Sequence, residues 1–171
     1  MPNKSISIAI SRCLLGEKVR YDGTDKYCKE ISDISIPNIS LKVIPFCPEV
    51  QIGMGIPRLP IQLERVNNKV RARRVNNPVE DFTDALRDYA HTFCQQHSNL
   101  IAMINKKGSP SCGHKTAKFY SKKKLESTEA TGVFVAEVKR LMPEIIIIDE
   151  VEFANHALRE DFINTITKKA L

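Results

Sequence analysis

Four short apolar runs divide this 171-residue chain at intervals that leave room for helices between them. They cover residues 6–10, 41–46, 100–104 and 145–148. The last run is an unbroken series of isoleucines, without the polar alternation of a strand that has one solvated face. Such a run is typical of a parallel strand that is covered on both faces. Strands in alternation with helices predict an α/β fold with a mainly parallel, Rossmann-like sheet of about four strands flanked by helices.

The intervening segments carry the signals of helices and of one hairpin. Helices are predicted over residues 24–35 (weakly), 78–98, 132–142 and 155–169. The second of these has a strong start signal, because Asn77 can cap, Pro78 suits the first helical position and Glu80 can complete a capping box. Alternating residues on both sides of Asn67 and Asn68 predict a small β-hairpin insertion near residues 61–75.

Composition places the chain among single soluble globular domains. Hydrophobic residues make up 42% and charged residues 27% of the sequence, and one domain is expected over residues 1–171. The N-terminal residues do not resemble a secretory signal, and no run approaches the roughly 20 apolar residues of a membrane span. We therefore expect a cytoplasmic protein without a membrane partner. Its five cysteines, an odd number, should stay reduced there.

The net charge of +6 raises the question of a nucleic-acid partner. The basic clusters are short, scattered and poor in interleaved aromatic residues: residues 71–74, 106–107, 122–124 and 168–169. A solvated surface is the more probable interpretation of each cluster. RNA or an anionic small molecule stays open as a partner but is not favoured.

Three of the cysteines come just after predicted strands. Cys13 and Cys47 follow the first two apolar runs, and Cys112 lies in the loop after the third. The carboxyl ends of parallel strands meet at one edge of a sheet, which is where ligands bind in such folds. The sequence therefore predicts a three-thiolate metal site with one open coordination position. Cys28 and Cys94 have no strand end beside them and are interpreted as structural.

The spacing and the neighbours of these cysteines bear on the metal. No close cysteine pair is present, which argues against a zinc knuckle or a ferredoxin-type run. Soft thiolates select iron–sulfur clusters, zinc or copper(I), and three of them fit a cubane cluster with one free iron. Glu49 stands two residues after Cys47, and residues 108–113 place two hydroxyls and two glycines around Cys112. The alternative is that each cysteine is an ordinary small buried residue.

The motifs resemble those of the domain of unknown function 523 family, which contains the thiouracil desulfidases. The resemblance rests on Ser-Arg-Cys-Leu-Leu-Gly at 11–16 with Arg-Tyr-Asp-Gly at 20–23, Cys-Pro-Glu-Val at 47–50 with Pro-Arg at 57–58, and Ser-Pro-Ser-Cys-Gly at 109–113. It covers nearly the whole chain and implies a 4Fe–4S cluster held by Cys13, Cys47 and Cys112. It also implies an enzyme in which the open iron binds the sulfur of a thiolated nucleobase such as thiouracil, and water replaces that sulfur without net redox change.

The resemblance further implies roles for neighbouring residues. Glu49 matches the family's acid/base, and Ser109 its assisting hydroxyl, with Ser111 as the alternative. Arg58 is a candidate for gripping a carbonyl or an anion, although a surface arginine is at least as probable. His114 is expected in a surrounding or exposed position more often than in functional contact. The loop of residues 53–60 resembles the branch of the family that is usually followed by a second domain, and we expect this loop to line the pocket.

Three functions remain in competition. The first is the cluster-dependent desulfidase acting on a small thiolated heterocycle. The second is an enzyme or binder acting on thiolated RNA bases through the same site, which needs basic groups gathered around it. The third is a non-enzymatic iron–sulfur or sulfur carrier, in which the open iron holds sulfur for delivery elsewhere.

Overall fold

The computed structural model describes residues 4–170. In chain order its strands are β1 (Lys4–Ser11), β2 (Ile39–Phe46), β3 (Ile61–Val66), β4 (Lys69–Arg74), β5 (Asn77–Asp81), β6 (Leu100–Asn105), β7 (Ala117–Ser121), β8 (Lys124–Ala130) and β9 (Ile146–Asp149). Its α-helices are α1 (Lys29–Ser32), α2 (Pro48–Gln51), α3 (Thr83–Gln96), α4 (Val133–Leu141), α5 (Glu150–Ala154) and α6 (His156–Ala170). A 3-10 turn spans Arg12–Leu15.

The predicted parallel sheet is confirmed. Its four strands lie in the order β2-β1-β6-β9, and each neighbouring pair runs parallel. Ile8 and Ile10 of β1 pack on one face with Phe153, Phe162 and Ile166 from the last two helices. The opposite face is covered by α3, α4 and a second sheet. Both faces of the central strands β1 and β6 are therefore buried, as their apolar runs predict, whereas the edge strand β2 leaves Val43 exposed.

A second sheet of five strands, in the order β5-β4-β3-β7-β8, stands beside the first. The predicted hairpin is confirmed as β3 and β4, which pair antiparallel around Asn67 and Asn68. Both asparagines have positive φ, 49° and 60°, as their turn requires. The hairpin is a part of this larger sheet, since β3 also pairs in parallel with β7 at Leu63–Phe119 and Glu64–Tyr120.

The strands β7 and β8 have no counterpart among the sequence predictions. They form an antiparallel hairpin around Lys122 and Lys123, whose φ angles are 47° and 65°. Positive φ is normally supplied by glycine, asparagine or aspartate, so two lysines give no sequence signal for a turn. Ala117 and Phe119 are the only buried residues of this hairpin, so its sequence shows little apolar alternation.

The predicted start of the helix 78–98, which corresponds to α3, is wrong. Residues 77–81 form strand β5 against β4, and the helix begins at Thr83. Asp81, not Asn77, supports this start, because its Oδ1 accepts a hydrogen bond of 3.0 Å from Thr83 N. The predicted helix 24–35 is also shorter than expected and comes down to α1. The expected last helix is confirmed as α6, and α5 precedes it. None of the helices in residues 4–170 is long and apolar enough to cross a membrane.

Candidate active site

The structure brings the three strand-end cysteines to one cavity. Cys13 lies in the 3-10 turn after β1, Cys47 directly follows β2, and Cys112 lies in the loop after β6. These strands are neighbours in the parallel sheet, so their carboxyl ends open on the same edge. All three thiols line a cavity of about 180 Å³ at that edge.

The thiols are buried and share one electrostatic environment. Burial, together with the nearness of Cys112 and Cys47, raises the pKa of Cys13 to about 12. Burial also raises the pKa of Cys112, to about 11, and that of Cys47. The three thiols therefore hold their protons at neutral pH, and a bound metal group would have to displace them.

The thiols surround the cavity and do not meet at a point. Among residues 4–170, no three histidine, cysteine, aspartate or glutamate side chains are close enough to hold one metal ion. Four sulfur ligands around a single zinc ion would lie about 3.8 Å apart, given Zn–S bonds of about 2.3 Å. An iron–sulfur cluster binds each thiolate through a different iron, so a set of thiols spread around a cavity fits such a group.

The start of helix α4 fixes the loop that carries Cys112. Val133 N donates to Pro110 O at 3.1 Å, and Val135 N donates to Ser111 O at 3.2 Å. Gly132 lets the helix approach this closely, because a Cβ there would stand 2.4 Å from the carbonyl carbon of Ser111. The loop is thus held by backbone contacts that do not depend on any bound group.

Ser109 lies against the Cys112 sulfur. Its Oγ is 3.2 Å from Cys112 Sγ and accepts a hydrogen bond of 3.1 Å from the Cys112 backbone N–H. Ser11 approaches the same sulfur from β1, at 3.8 Å, and its hydroxyl accepts a bond from Lys106 N. Ser109 also lies 3.0 Å from Ser111 Oγ, so the two serines are in direct contact.

Ser111 connects this pair to Glu49. Its side chain is only 1% exposed, and its Oγ donates to Glu49 Oε1 at 2.8 Å. A hydroxyl has a single proton to donate, so the bond between the two serines must be donated by Ser109. The result is a continuous chain from Cys112 Sγ through Ser109 and Ser111 to the carboxylate, with both hydroxyl protons directed toward Glu49.

Glu49 is a buried carboxylate held at its other oxygen by Arg58. Glu49 lies in the first turn of α2, where Cys47 is the N-cap and Pro48 the first helical residue. Its exposure is 8%, and Arg58 Nε donates to Oε2 at 2.8 Å. The Arg58 side chain is itself only 5% exposed, so the interpretation of Arg58 as a surface residue is wrong. The anion that Arg58 binds is the carboxylate of Glu49.

Comparison with known proteins identifies the family. A sequence profile described as 2-thiouracil desulfurase matches residues 8–150. The chain belongs to this family. The solved structure of a 4Fe–4S-dependent thiouracil desulfidase, TudS, superposes with a TM-score of 0.68 at 25% identity, covering 91% of this chain and 98% of that one. A search of curated proteins returned no match.

Membership in the 2-thiouracil desulfurase family confirms the resemblance drawn from the motifs, and with it the prediction of an enzyme of the desulfidase type. The α/β fold is confirmed by the same structural match. The neighbour is described as 4Fe–4S-dependent, which agrees with the expected cofactor at the level of the family. The roles of the individual residues in this desulfurase remain predictions.

The mouth of the desulfurase cavity combines paired charges with one exposed ring. Three cations each lie close to a carboxylate oxygen through a side-chain nitrogen. The distances are 2.7 Å from Arg12 to Glu17, 2.6 Å from Lys106 to Glu150 and 3.4 Å from Arg20 to Asp22. These cations line the cavity with their charges already partnered. Tyr21 also lines it, and 43% of that residue is exposed.

Some residues considered from the sequence lie elsewhere. Within residues 4–170, the cavity lining does not include His114, Cys28 or Cys94. His114 Nδ1 is buried without a hydrogen-bond partner among the described residues. Of the loop 53–60, only Arg58 reaches the cavity. Gly132 was not predicted as a site residue. A glycine before a helix does not indicate which segment of backbone will pack against it in the fold.

Proposed function

We propose that this protein removes sulfur from a thiolated pyrimidine, such as thiouracil, at a 4Fe–4S cluster held by Cys13, Cys47 and Cys112. The observation that carries the proposal is the chain of hydrogen bonds that joins Cys112 to Glu49 inside the cavity lined by all three thiols. Membership in the 2-thiouracil desulfurase family supports the same reaction.

The donor set fits the expected cofactor. Three soft sulfur ligands around a cavity are the ligands that iron–sulfur clusters take, and they leave one iron without a protein ligand. When bound, a cluster would supply a Lewis-acidic iron that binds the substrate's sulfur and makes the adjacent carbon more electrophilic. The side chains of the cavity then have to orient the substrate, position a water and move its protons.

Glu49 has the position of a general base. Both serine protons point toward its Oε1, which is the direction required to draw a proton from a water bound at Ser109. As the water gives its proton to Ser109, Ser109 passes its own to Ser111, and Ser111 passes its own to Glu49. The same path in reverse returns this proton to the departing sulfur, and the second water proton leaves the new ring oxygen for solvent, so that C=S and water give C=O and hydrogen sulfide. The net reaction exchanges sulfur for oxygen on the ring and transfers no electrons to or from the protein.

The cavity mouth favours a small planar substrate. Tyr21 lines the cavity and is 43% exposed, and Arg20 lies over one face of its ring with Cζ 5.7 Å from the centroid, so a heterocycle would stack on the other face. Arg12, Arg20 and Lys106 are each already in contact with a carboxylate. Among the described residues, Lys107 is the one lining cation without an ion pair, and a single cation does not make a basic patch for a nucleic-acid backbone. We therefore favour a free thiolated base over thiolated RNA.

The test is anaerobic reconstitution with iron and sulfide, followed by assay of sulfide and pyrimidine released from 2-thiouracil and 4-thiouracil. We expect turnover by the reconstituted wild type, and a loss of about 10² to 10⁴ in kcat in Glu49→Gln with unchanged cluster absorbance. Glu126→Gln is the matched control. Glu126 lies on the exposed strand β8 and pairs with Arg65, so this variant should keep full activity. Reconstituted wild type that releases no sulfide, or full activity in Glu49→Gln, would contradict the proposal.

A further inference from the structure

Arg58 is fixed beside Glu49 by hydrogen bonds to three separate parts of the chain. Its Nε donates to Glu49 Oε2 at 2.8 Å, and one terminal nitrogen donates to Val19 O at 2.9 Å and to Gly55 O at 3.0 Å. Its backbone N–H also donates to Tyr21 O at 2.8 Å. A guanidinium with these partners has little freedom to reorient.

We propose that Arg58 is a positioning residue, which holds the Glu49 carboxylate in the orientation needed for proton transfer. This inference rests on the proposed function and deepens it. A carboxylate can rotate about its last side-chain bond, which is a soft torsion. Arg58 occupies Oε2, and that contact leaves Oε1 facing Ser111. Two charge-assisted hydrogen bonds on different oxygens therefore define the plane of the carboxylate.

The local backbone does little of this positioning. Helix α2 has only four residues, and its N-cap, Cys47, makes no side-chain capping bond. The orientation of Glu49 thus depends on side-chain partners. A misplacement of about 1 Å at a reacting group can cost about 10²-fold in rate. Loss of the Arg58 contact should therefore appear in kcat.

Three of the five N–H donors of Arg58 are already occupied, by Glu49 and by two backbone carbonyls, so we place its effect on the site in the bond to Glu49. Two of its nitrogens are bound to Glu49 and to backbone carbonyls, and its side chain is 5% exposed. A lysine has one ammonium group, which cannot reproduce a planar fork bound to a carboxylate and two carbonyls. Arg58→Lys should consequently restore only part of the rate that Arg58→Met loses.

A double-mutant cycle tests this coupling in reconstituted protein. Arg58→Met in the wild-type background should lower kcat about 10- to 100-fold and change KM less than about threefold. In the Glu49→Gln background the same change should have no further effect on kcat, because the group that it positions no longer transfers protons. An equal loss of kcat in both backgrounds would overturn the inference.

Arg74→Met is the matched control. Arg74 also pairs with a glutamate, Glu80 at 2.9 Å, and also binds a backbone carbonyl of the same loop, Leu59 O at 2.8 Å, but it does not line the cavity. It should cost less stability than Arg58→Met, because the Glu80 side chain is 43% exposed, and it should leave kcat unchanged. If Arg58→Met does not fold, Arg58→Lys, which keeps the buried positive charge, goes through the same cycle.

A crystal structure of the Arg58 variant separates this inference from the proposed function. We expect the contact between Glu49 Oε1 and Ser111 Oγ, 2.8 Å in the wild type, to be lost. If that contact is retained, Arg58 is not the positioning residue, whatever the activity of the wild type. Reconstituted wild type that releases no sulfide contradicts the proposed function, and the structure of the variant still decides the role of Arg58.

Discussion

Ser111 Oγ donates a hydrogen bond of 2.8 Å to Glu49 Oε1, although 62 positions separate the two residues in the chain. The bond joins the segment after β2 to the segment after β6, and each of these segments carries one of the cavity thiols. A carboxylate and a hydroxyl next to different cysteines are thus joined by a direct hydrogen bond at the cavity.

The relay between Ser109, Ser111 and Glu49 can be tested with alanine variants. We expect Ser111→Ala and Ser109→Ala each to lower kcat about 10- to 100-fold, since a hydrogen bond to a charged group contributes about 1.5–3 kcal/mol. Because the two hydroxyls act in series, the double variant should be no slower than the slower single variant. Steady-state rates of sulfide release measure this effect. Multiplicative losses in the double variant would show that the hydroxyls act separately.

The ligand assignment predicts two classes of cysteine variant. Three variants should lose cluster on desalting: Cys13→Ser, Cys47→Ser and Cys112→Ser. The loss should be at least about tenfold, because removal of a residue that only hydrogen-bonds to a metal ligand already lowers metal affinity by that factor. Cys28→Ser and Cys94→Ser should keep the full content of iron and acid-labile sulfide, since neither lines the cavity. Iron and sulfide assays after anaerobic desalting compare the five proteins. A cavity variant with a wild-type content would remove that cysteine from the ligand set.

Gly132 should be essential to the Cys112 loop, because the start of α4 packs directly against the backbone of Ser111 and Cys112 there. The backbone of Gly132 has φ −59°, which alanine tolerates, so only the added Cβ matters. That atom would stand 2.4 Å from the Ser111 carbonyl carbon and push the loop away from α4. We expect Gly132→Ala to reduce both cluster content and kcat by about tenfold or more.

The control for this variant is Ile166→Val, a core change in α6 on the opposite face of the parallel sheet. It should cost about 0.5–1.5 kcal/mol of stability without loss of cluster. Denaturant unfolding of both variants ranks their stabilities. If Gly132→Ala kept its cluster at a stability equal to that of Ile166→Val, the close approach of helix and loop would have no functional role.

Asp81 predicts a pH-dependent contribution to stability away from the cavity. Burial alone would raise its pKa, but hydrogen bonds from Thr83, Arg71 and Arg73 outweigh burial and hold the pKa well below its usual value. Its stabilising effect is therefore complete above the unfolded pKa of about 3.9, and it is lost as pH falls through the folded pKa. We expect Asp81→Asn to lower the free energy of unfolding by about 1–2 kcal/mol at pH 7.

Urea unfolding at pH 7 and at pH 3 measures the difference between wild type and Asp81→Asn, which should shrink at the lower pH. Asp33→Asn is the matched control, because Asp33 pairs with Lys29 on an exposed face, where such pairs contribute less than about 1 kcal/mol. A difference that persists unchanged at pH 3 would show that the loss comes from packing and not from the ionised carboxylate.

The position of the thiols could be predicted from sequence because it depends on topology. Cys13, Cys47 and Cys112 follow strands that any parallel arrangement would open on one edge. Apolar runs identify such strands without knowledge of side-chain detail. The hairpin at Asn67 and Asn68 was also predictable, since these residues adopt positive φ readily and so mark a turn.

The finer geometry could not be predicted in the same way. Whether Ser109 or Ser111 meets Glu49 depends on the direction of two neighbouring side chains, which only the folded loop defines. The burial of Arg58 depends on the carbonyl of Val19, which comes from a distant loop, and on the carboxylate of Glu49. The β5 strand replaced a predicted helical start because pairing with β4 outweighed local capping preferences. Each of these outcomes is set by tertiary contacts.

The parallel pairing of β3 with β7 has a mechanical consequence for the cavity. The segment with Cys47 runs from β2 to β3, and the segment with Cys112 runs from β6 to β7, so each spans the two sheets and is tied down at both ends. We expect the paired strands alone to hold Cys47 and Cys112 at a fixed separation. If the proposed cluster is lost to oxygen, we expect the folded chain to keep this cavity, so that anaerobic iron and sulfide restore the original cluster content without refolding.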